Sequence, residues 1–101
     1  MIAVPQFDAA IHAPGRLQIC AMLSTGAEVE FATLRQALDV SDSVLSKHLK
    51  LLEEVGYVRP RKAPFEGRQR TWLSLTADGK RAFAAHVAEL TRLAGLVRAA
   101  E

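Results

Sequence analysis

The stretch Ser41-Asp42-Ser43-Val44-Leu45-Ser46-Lys47-His48-Leu49-Lys50-Leu51-Leu52-Glu53-Glu54-Val55-Gly56 decides the reading of the whole chain. Leu45, Leu49, Leu52 and Val55 step by four, three and three, which places them on one buried stripe of a helix. Lys47, Lys50 and Glu54 then face away from that stripe, and Ser43 and Ser46 point outward near its start. Ser41 or Asp42 is placed to cap the first turn, because a short oxygen-bearing side chain can accept from an unsatisfied backbone N–H there. Gly56 is placed to end the helix.

Upstream, Leu34 and Leu38 at a spacing of four predict an apolar stripe on a helix of about two turns. Asp39-Val40-Ser41 between the two helices reads as a tight turn. Two short helices joined in this way, the second showing small polar and basic side chains, are the ingredients of a helix-turn-helix. Downstream, Tyr57 to Lys62 and Arg70 to Leu75 read as partner strands, with Pro64-Phe65-Glu66-Gly67 supplying the reversal. Pro60 predicts an edge position, since it lacks the N–H a central strand must donate. Leu73 and Leu75 share the inward face, while Arg70, Trp72 and Ser74 share the other. Trp72 is expected to pack, either over part of an interface with another subunit or within the hairpin, rather than to stack on a base.

Towards the ends, Thr76-Ala77-Asp78-Gly79 opens a long last helix with a Thr cap. Along it Phe83, Val87, Leu90, Ala94 and Val97 step by four, three, four and three, the spacing of a coiled-coil seam. Near the start, Pro14 interrupts the apolar stretch Phe7 to His12 and suits the first turn of a helix running to about Ser24. That helix has no wide polar face, so it is expected to be buried on more than one side. Glu28-Val29-Glu30-Phe31 alternates and predicts a very short strand.

The chain has 101 residues, about one domain's worth, so residues 1–101 are expected to form a single unit. Half of them are hydrophobic and 24% are charged, which is core-forming composition. A mean hydropathy of +0.08 is high for a free monomer of this size and implies that some apolar surface meets another subunit. The net charge of +2 is unevenly spread. Residues 21–46 set Arg35 against Glu28, Glu30, Asp39 and Asp42, a net −3. Residues 47–70 set Lys47, Lys50, Arg59, Arg61, Lys62, Arg68 and Arg70 against Glu53, Glu54 and Glu66, a net +4. Such a local basic concentration reads as a polyanion-facing surface.

Cys20 is the single cysteine, so no disulfide framework exists and a reducing compartment fits best. In an all-round apolar helix it is expected to be buried and inert rather than a redox switch. No secretory signal and no apolar run of membrane-spanning length is visible, and a cytoplasmic protein is expected. The histidines are scattered without zinc spacing, so no metal and no cofactor are expected. His12 and His86 could meet at an interface between terminal helices, but nothing in their spacing brings them together. No nucleophile elbow, phosphate loop or paired carboxylate with a base is present, which argues against an enzyme.

Leu34-x3-Leu38-Asp39-Val40-Ser41, then Leu45-Ser46-Lys47-His48-Leu49 through Val55-Gly56-Tyr57-Val58, then Leu75-Thr76-Ala77-Asp78-Gly79 resemble the winged helix-turn-helix regulators of the MarR and ArsR type. Ile11-His12-Ala13-Pro14-Gly15-Arg16-Leu17 is similar to that group's entry into its first helix, so the resemblance covers nearly the whole chain. It implies a mainly α fold with a small β-hairpin wing (α+β). It also implies a homodimer on a pseudo-palindromic operator in double-stranded DNA, acting in transcription regulation as a repressor. The terminal helices, about 5–24 and 77–100, would form the dimer interface through Leu17, Phe83, Val87, Leu90, Ala94 and Val97. DNA contacts would come from Ser43, Ser46, Lys47 and Lys50 on the recognition helix, and from Arg61, Lys62, Arg68 and Arg70 on the wing, with phosphate the expected target there. Arg35 stands between a backbone contact and an ordinary surface role. His48 stands between the edge of the recognition face and a hydrogen-bonded seat between helices.

Two departures bear on sensing. Residues 34–58 contain no cysteine, which disfavours an ArsR-type metal site, and 101 residues leave little material for a conventional effector pocket. A protein-protein interaction module without DNA binding is the competing function, because winged helices also bind proteins. The +4 segment spanning recognition helix and wing separates the two, since an interaction module has no need of bases at both places.

Overall fold

A computed structural model describes residues 6–99. The elements run α1 (Ala9–His12), α2 (Pro14–Leu23), β1 (Val29–Glu30), α3 (Phe31–Leu38), α4 (Asp42–Glu54), β2 (Val58–Phe65), β3 (Arg68–Leu75) and α5 (Ala77–Ala99). Residues 5 and 100, the outer bounds expected for the terminal helices, lie outside the described residues. The expected N-terminal helical region is two helices. Asp8 caps a single turn by accepting from the Ala10 N–H at 2.9 Å, and Ala13 is extended at φ −62°, ψ 136°. Pro14 imposes that break, because its ring crowds the preceding residue out of the helical region.

The helix-turn-helix forms as read. α3 stops at Asp39, which is left-handed at φ 54°. Ser41 then caps α4, its Oγ accepting from the Val44 N–H at 3.2 Å. Leu45, Leu49 and Leu52 are buried, but Val55 is 46% exposed and not part of the stripe. The reason is that the helix ends one residue earlier. Tyr57 N–H returns to the Leu52 carbonyl and Gly56 N–H to Glu53, a Schellman closure that needs the left-handed Gly56 (φ 82°) and turns Val55 outward.

The sheet is antiparallel in the order β1-β3-β2. β2 is an edge strand, where Pro60 and Pro64 are tolerated. The hairpin is longer than expected: Pro64 and Phe65 remain in β2, and the reversal is Glu66-Gly67 alone, at φ 51° and 76°. Two consecutive left-handed residues form the tight turn whose twist matches that of the flanking strands. Leu73 and Leu75 of β3, with Val58 of β2, close the sheet onto a core of Ile11, Ile19, Cys20, Leu23, Leu34, Leu45, Leu49 and Leu52.

Thr76 links the hairpin, the end of α4 and the last helix. Its Oγ1 donates to the Gly56 carbonyl at 2.6 Å and accepts from the Gly79 N–H at 3.0 Å, capping α5. A Cβ on Gly79 would stand 2.1 Å from the Tyr57 carbonyl oxygen, so only glycine lets α5 start this close. The 23 residues of α5 extend about 34 Å, and the molecule measures 57 × 26 × 21 Å because the end of α5 leaves the body.

His86, on α5, is buried and joined to His12 within the same protomer, a meeting the spacing of the two residues does not announce. The Asp8 N–H donates to His86 Nδ1 at 3.2 Å, which puts the His86 proton on Nε2, 3.4 Å from His12 Nδ1. Phe7 stacks on His12, and Tyr57 donates to the Asp8 carboxylate at 2.5 Å. Polar groups thus fasten the N-terminal segment to α5.

Candidate nucleic-acid interface

The outward face of α4 carries Ser43, Ser46, Lys47 and Lys50, all exposed. Neither lysine makes an ion pair among the described residues, and Ser43 shares a 3.2 Å hydrogen bond with the capping Ser41. The three buried leucines behind them hold this face in a fixed attitude.

His48 takes the interhelical seat. Its Nδ1 faces Arg16 NH1 at 3.4 Å, and its ring lies against Gly15 so closely that a Cβ there would come within 2.7 Å of Nε2. Burial first, and the Arg16 guanidinium second, hold its pKa below the ordinary imidazole value. Arg16 in turn donates through Nε to the Ala10 carbonyl, so one side chain ties α1, α2 and α4 together. Arg35 is engaged with Asp42, Nε to Oδ1 at 3.1 Å, at the exposed start of α4.

The wing is less uniformly basic than its sequence. Register pairs Arg59 with Ser74, Arg61 with Trp72, Ala63 with Arg70 and Phe65 with Arg68, which places all of these on one face. Arg61 is held by Glu28 and Arg70 by Glu30, both pairs within hydrogen-bond distance. Arg70 also lies 5.4 Å from the Phe65 ring centroid, while Phe65 meets Trp72 edge to face, so of the two packing roles open to Trp72 the contact within the wing is the one formed here. Lys62 and Arg68 are exposed and make no ion pair among the described residues. Arg59, absent from the expected contact set, is likewise exposed and unpaired among them. Its alternation with Arg61 was the signal that could have found it.

The six expected interface residues divide. Leu17 and Phe83 are half-buried and pack against the core of their own protomer. Leu90 is half-buried, whereas Val87, Ala94 and Val97 are exposed along α5, Val97 by 65%. Cys20 is fully buried, and burial pushes its thiol up to about 11, so it is no thiolate near neutral pH. Among the described residues no cluster of three or more His, Cys, Asp or Glu could hold a metal ion, and no helix is long and apolar enough to cross a membrane.

The winged helix DNA-binding domain family matches residues 16–94. The chain belongs to that family. An uncharacterized protein of Methanocaldococcus jannaschii is 36% identical to this winged helix domain over 78 residues, covering 77% of this chain and 85% of the relative. Among solved structures, a transcriptional regulator homologue from Pyrococcus horikoshii superposes with a TM-score of 0.80 at 24% identity, covering 87% of each chain. A MarR-family putative regulator from Enterococcus faecalis reaches a TM-score of 0.72 at 22% identity, over 89% of this chain and 80% of that one. At such identities these two structures establish the fold, that of winged helix and MarR-family regulators.

Proposed function

We propose that this winged helix domain binds double-stranded DNA as a homodimer and regulates transcription, as a repressor that occludes its operator. The observation that carries the reading is the α4 face. Small hydroxyls at Ser43 and Ser46 and uncommitted ammonium groups at Lys47 and Lys50 are what a helix needs to lie in a major groove. Arg59, Lys62 and Arg68 extend the same charge onto the hairpin, where phosphate is the target. The exposed Val87, Ala94 and Val97 of α5, with the half-buried Leu90 between them, supply the seam of the dimer contact, and Leu17 and Phe83 shape it from the core side. Neither catalysis nor a bound cofactor enters this reading, and the protein acts in the cytoplasm, where its operator is.

Footprinting on genomic fragments is the test. A symmetric footprint with half-sites about one helical turn apart, roughly 34–36 Å, is expected. Sedimentation should show a dimer at micromolar concentration and a monomer after Leu90→Asp, since an unpaired buried charge in the seam is strongly unfavourable. Absence of any footprint with an intact dimer would favour the protein-interaction function instead.

A further inference from the structure

The acidic residues that precede α3 have no part in the reading above, yet both reach the wing, and the two pairs they make differ. Glu28 lies in the loop before β1 and meets Arg61, thirty-three positions away, side-on. Arg61 Nε donates to Oε1 and Oε2 at 3.1 and 2.8 Å, and NH2 donates to Oε1 at 2.7 Å. This is the two-nitrogen edge that a guanidinium offers to phosphate. The Arg61 side chain is 54% exposed, on the outward face of an edge strand beside the unpaired Arg59.

The neighbouring pair is of another kind. Arg70 and Glu30 are largely covered, with side-chain exposures of 29% and 15%. Arg70 Nε is buried with no hydrogen-bond partner among the described residues, and its guanidinium sits against Phe65. Arg70 is built into the wing and could leave Glu30 only by dismantling it. Arg61 could exchange one oxyanion for another without moving its backbone, since exposed ion pairs of this type are individually weak.

We propose that Glu28 competes with DNA phosphate for Arg61, and so sets how strongly the protein holds a duplex of any sequence. The proposal rests on the DNA-binding reading. Phosphate contacts carry nearly all sequence-independent affinity, each adding about 0.9 to the log–log salt slope. A carboxylate on a wing arginine removes one such contact per protomer and leaves the base-reading face of α4 untouched.

Salt titrations on the footprinted operator and a scrambled duplex test this with Glu28→Gln, Arg61→Ala and the double variant. Glu28→Gln should tighten both duplexes by about the same factor, roughly eightfold per contact near 0.1 M salt, and steepen the slope by about 2 for the two protomers. In the Arg61→Ala background the same substitution should change little. An equal gain in that background would mean that the carboxylate acts through its general field, and unchanged or weakened binding by Glu28→Gln would mean that it orients Arg61 or that Arg61 meets no phosphate. Each of these overturns the proposal while wild-type binding leaves the DNA-binding reading standing. A wild-type protein that binds neither duplex would remove both.

Discussion

Helix α4 and the hairpin carry charge of the same sign but are built on opposite plans. α4 is capped at both ends and seated on three buried leucines, and its outward lysines make no ion pair among the described residues. The hairpin rests on the core through Val58, Leu73 and Leu75 and on β1 through β3, and two of its arginines are already occupied by glutamates from the β1 region. Counting charges along the chain establishes the sign of a surface. Which of those charges remain available depends on what folds against them. Rigid presentation suits base reading, which depends on hydrogen bonds to base edges; a charged ribbon with exposed basic groups and one exchangeable ion pair suits phosphate contacts, which position without reading sequence.

The largest expected effect separates the two plans directly. Lys47→Ala or Ser46→Ala should cut the ratio of operator to scrambled-duplex affinity by about 1–3 kcal/mol per lost base contact, occurring twice in a dimer. Arg68→Ala should leave that ratio nearly unchanged, weaken both duplexes, and flatten the salt slope by about 0.9 per phosphate contact, or about 2 in a dimer. If Arg68→Ala altered sequence preference at an unchanged slope, the wing would be reading groove shape and the contrast would fail.

A smaller effect probes how α4 is seated. Gly15→Ala would drive a methyl group against His48, and overpacking of this kind costs about 1–3 kcal/mol, against a gain of at most about 1 kcal/mol for alanine over glycine in a helix. Urea unfolding should show a net loss, and His48→Ala should relieve it in the double variant. An increase in stability from Gly15→Ala alone would show that His48 does not hold the helix there.

The smallest effect is expected with pH. His48 and His86 both have pKa values held below the ordinary one by burial, assisted by Arg16 and by His12 respectively; Asp8 opposes the shift at His86. The unfolded chain therefore binds protons that the folded chain refuses. Between about pH 7 and 8 stability should be level, and it should decline as pH falls through the unfolded value of about 6.5. Urea midpoints measured across that window should fall in the wild type and fall less in His48→Asn, whereas a flat profile would mean that neither histidine is held neutral by its seat.

Much of the fold was legible because its signals are local. The four-three-three leucine spacing, the Ser41 and Thr76 caps, the Pro14 break and Gly56 after the last turn each act over one or two helical turns, and each appears in place. Val55 was misplaced by the same local logic, since periodicity does not mark where a Schellman closure ends the stripe. The turn position failed likewise, because Pro64 and Phe65 look like loop residues until their strand has a partner.

The outward face of α4 could be read from the order of residues alone, because a helix places its side chains by periodicity whatever surrounds it. The availability of the basic groups could not. Glu28 reaches Arg61 across thirty-three positions, Glu30 reaches Arg70 across forty and His12 reaches His86 across seventy-four. None of these separations has a period or a motif to announce it. His48 was left between two roles for the same reason: its place on α4 was plain, but only the approach of the α2 N-terminus, with Gly15 bare of a side chain, set its ring between the helices. Pairings of this sort exist only after the core has brought distant segments together, and it was the packing of Leu45, Leu49 and Leu52 against α2 and the sheet that decided them.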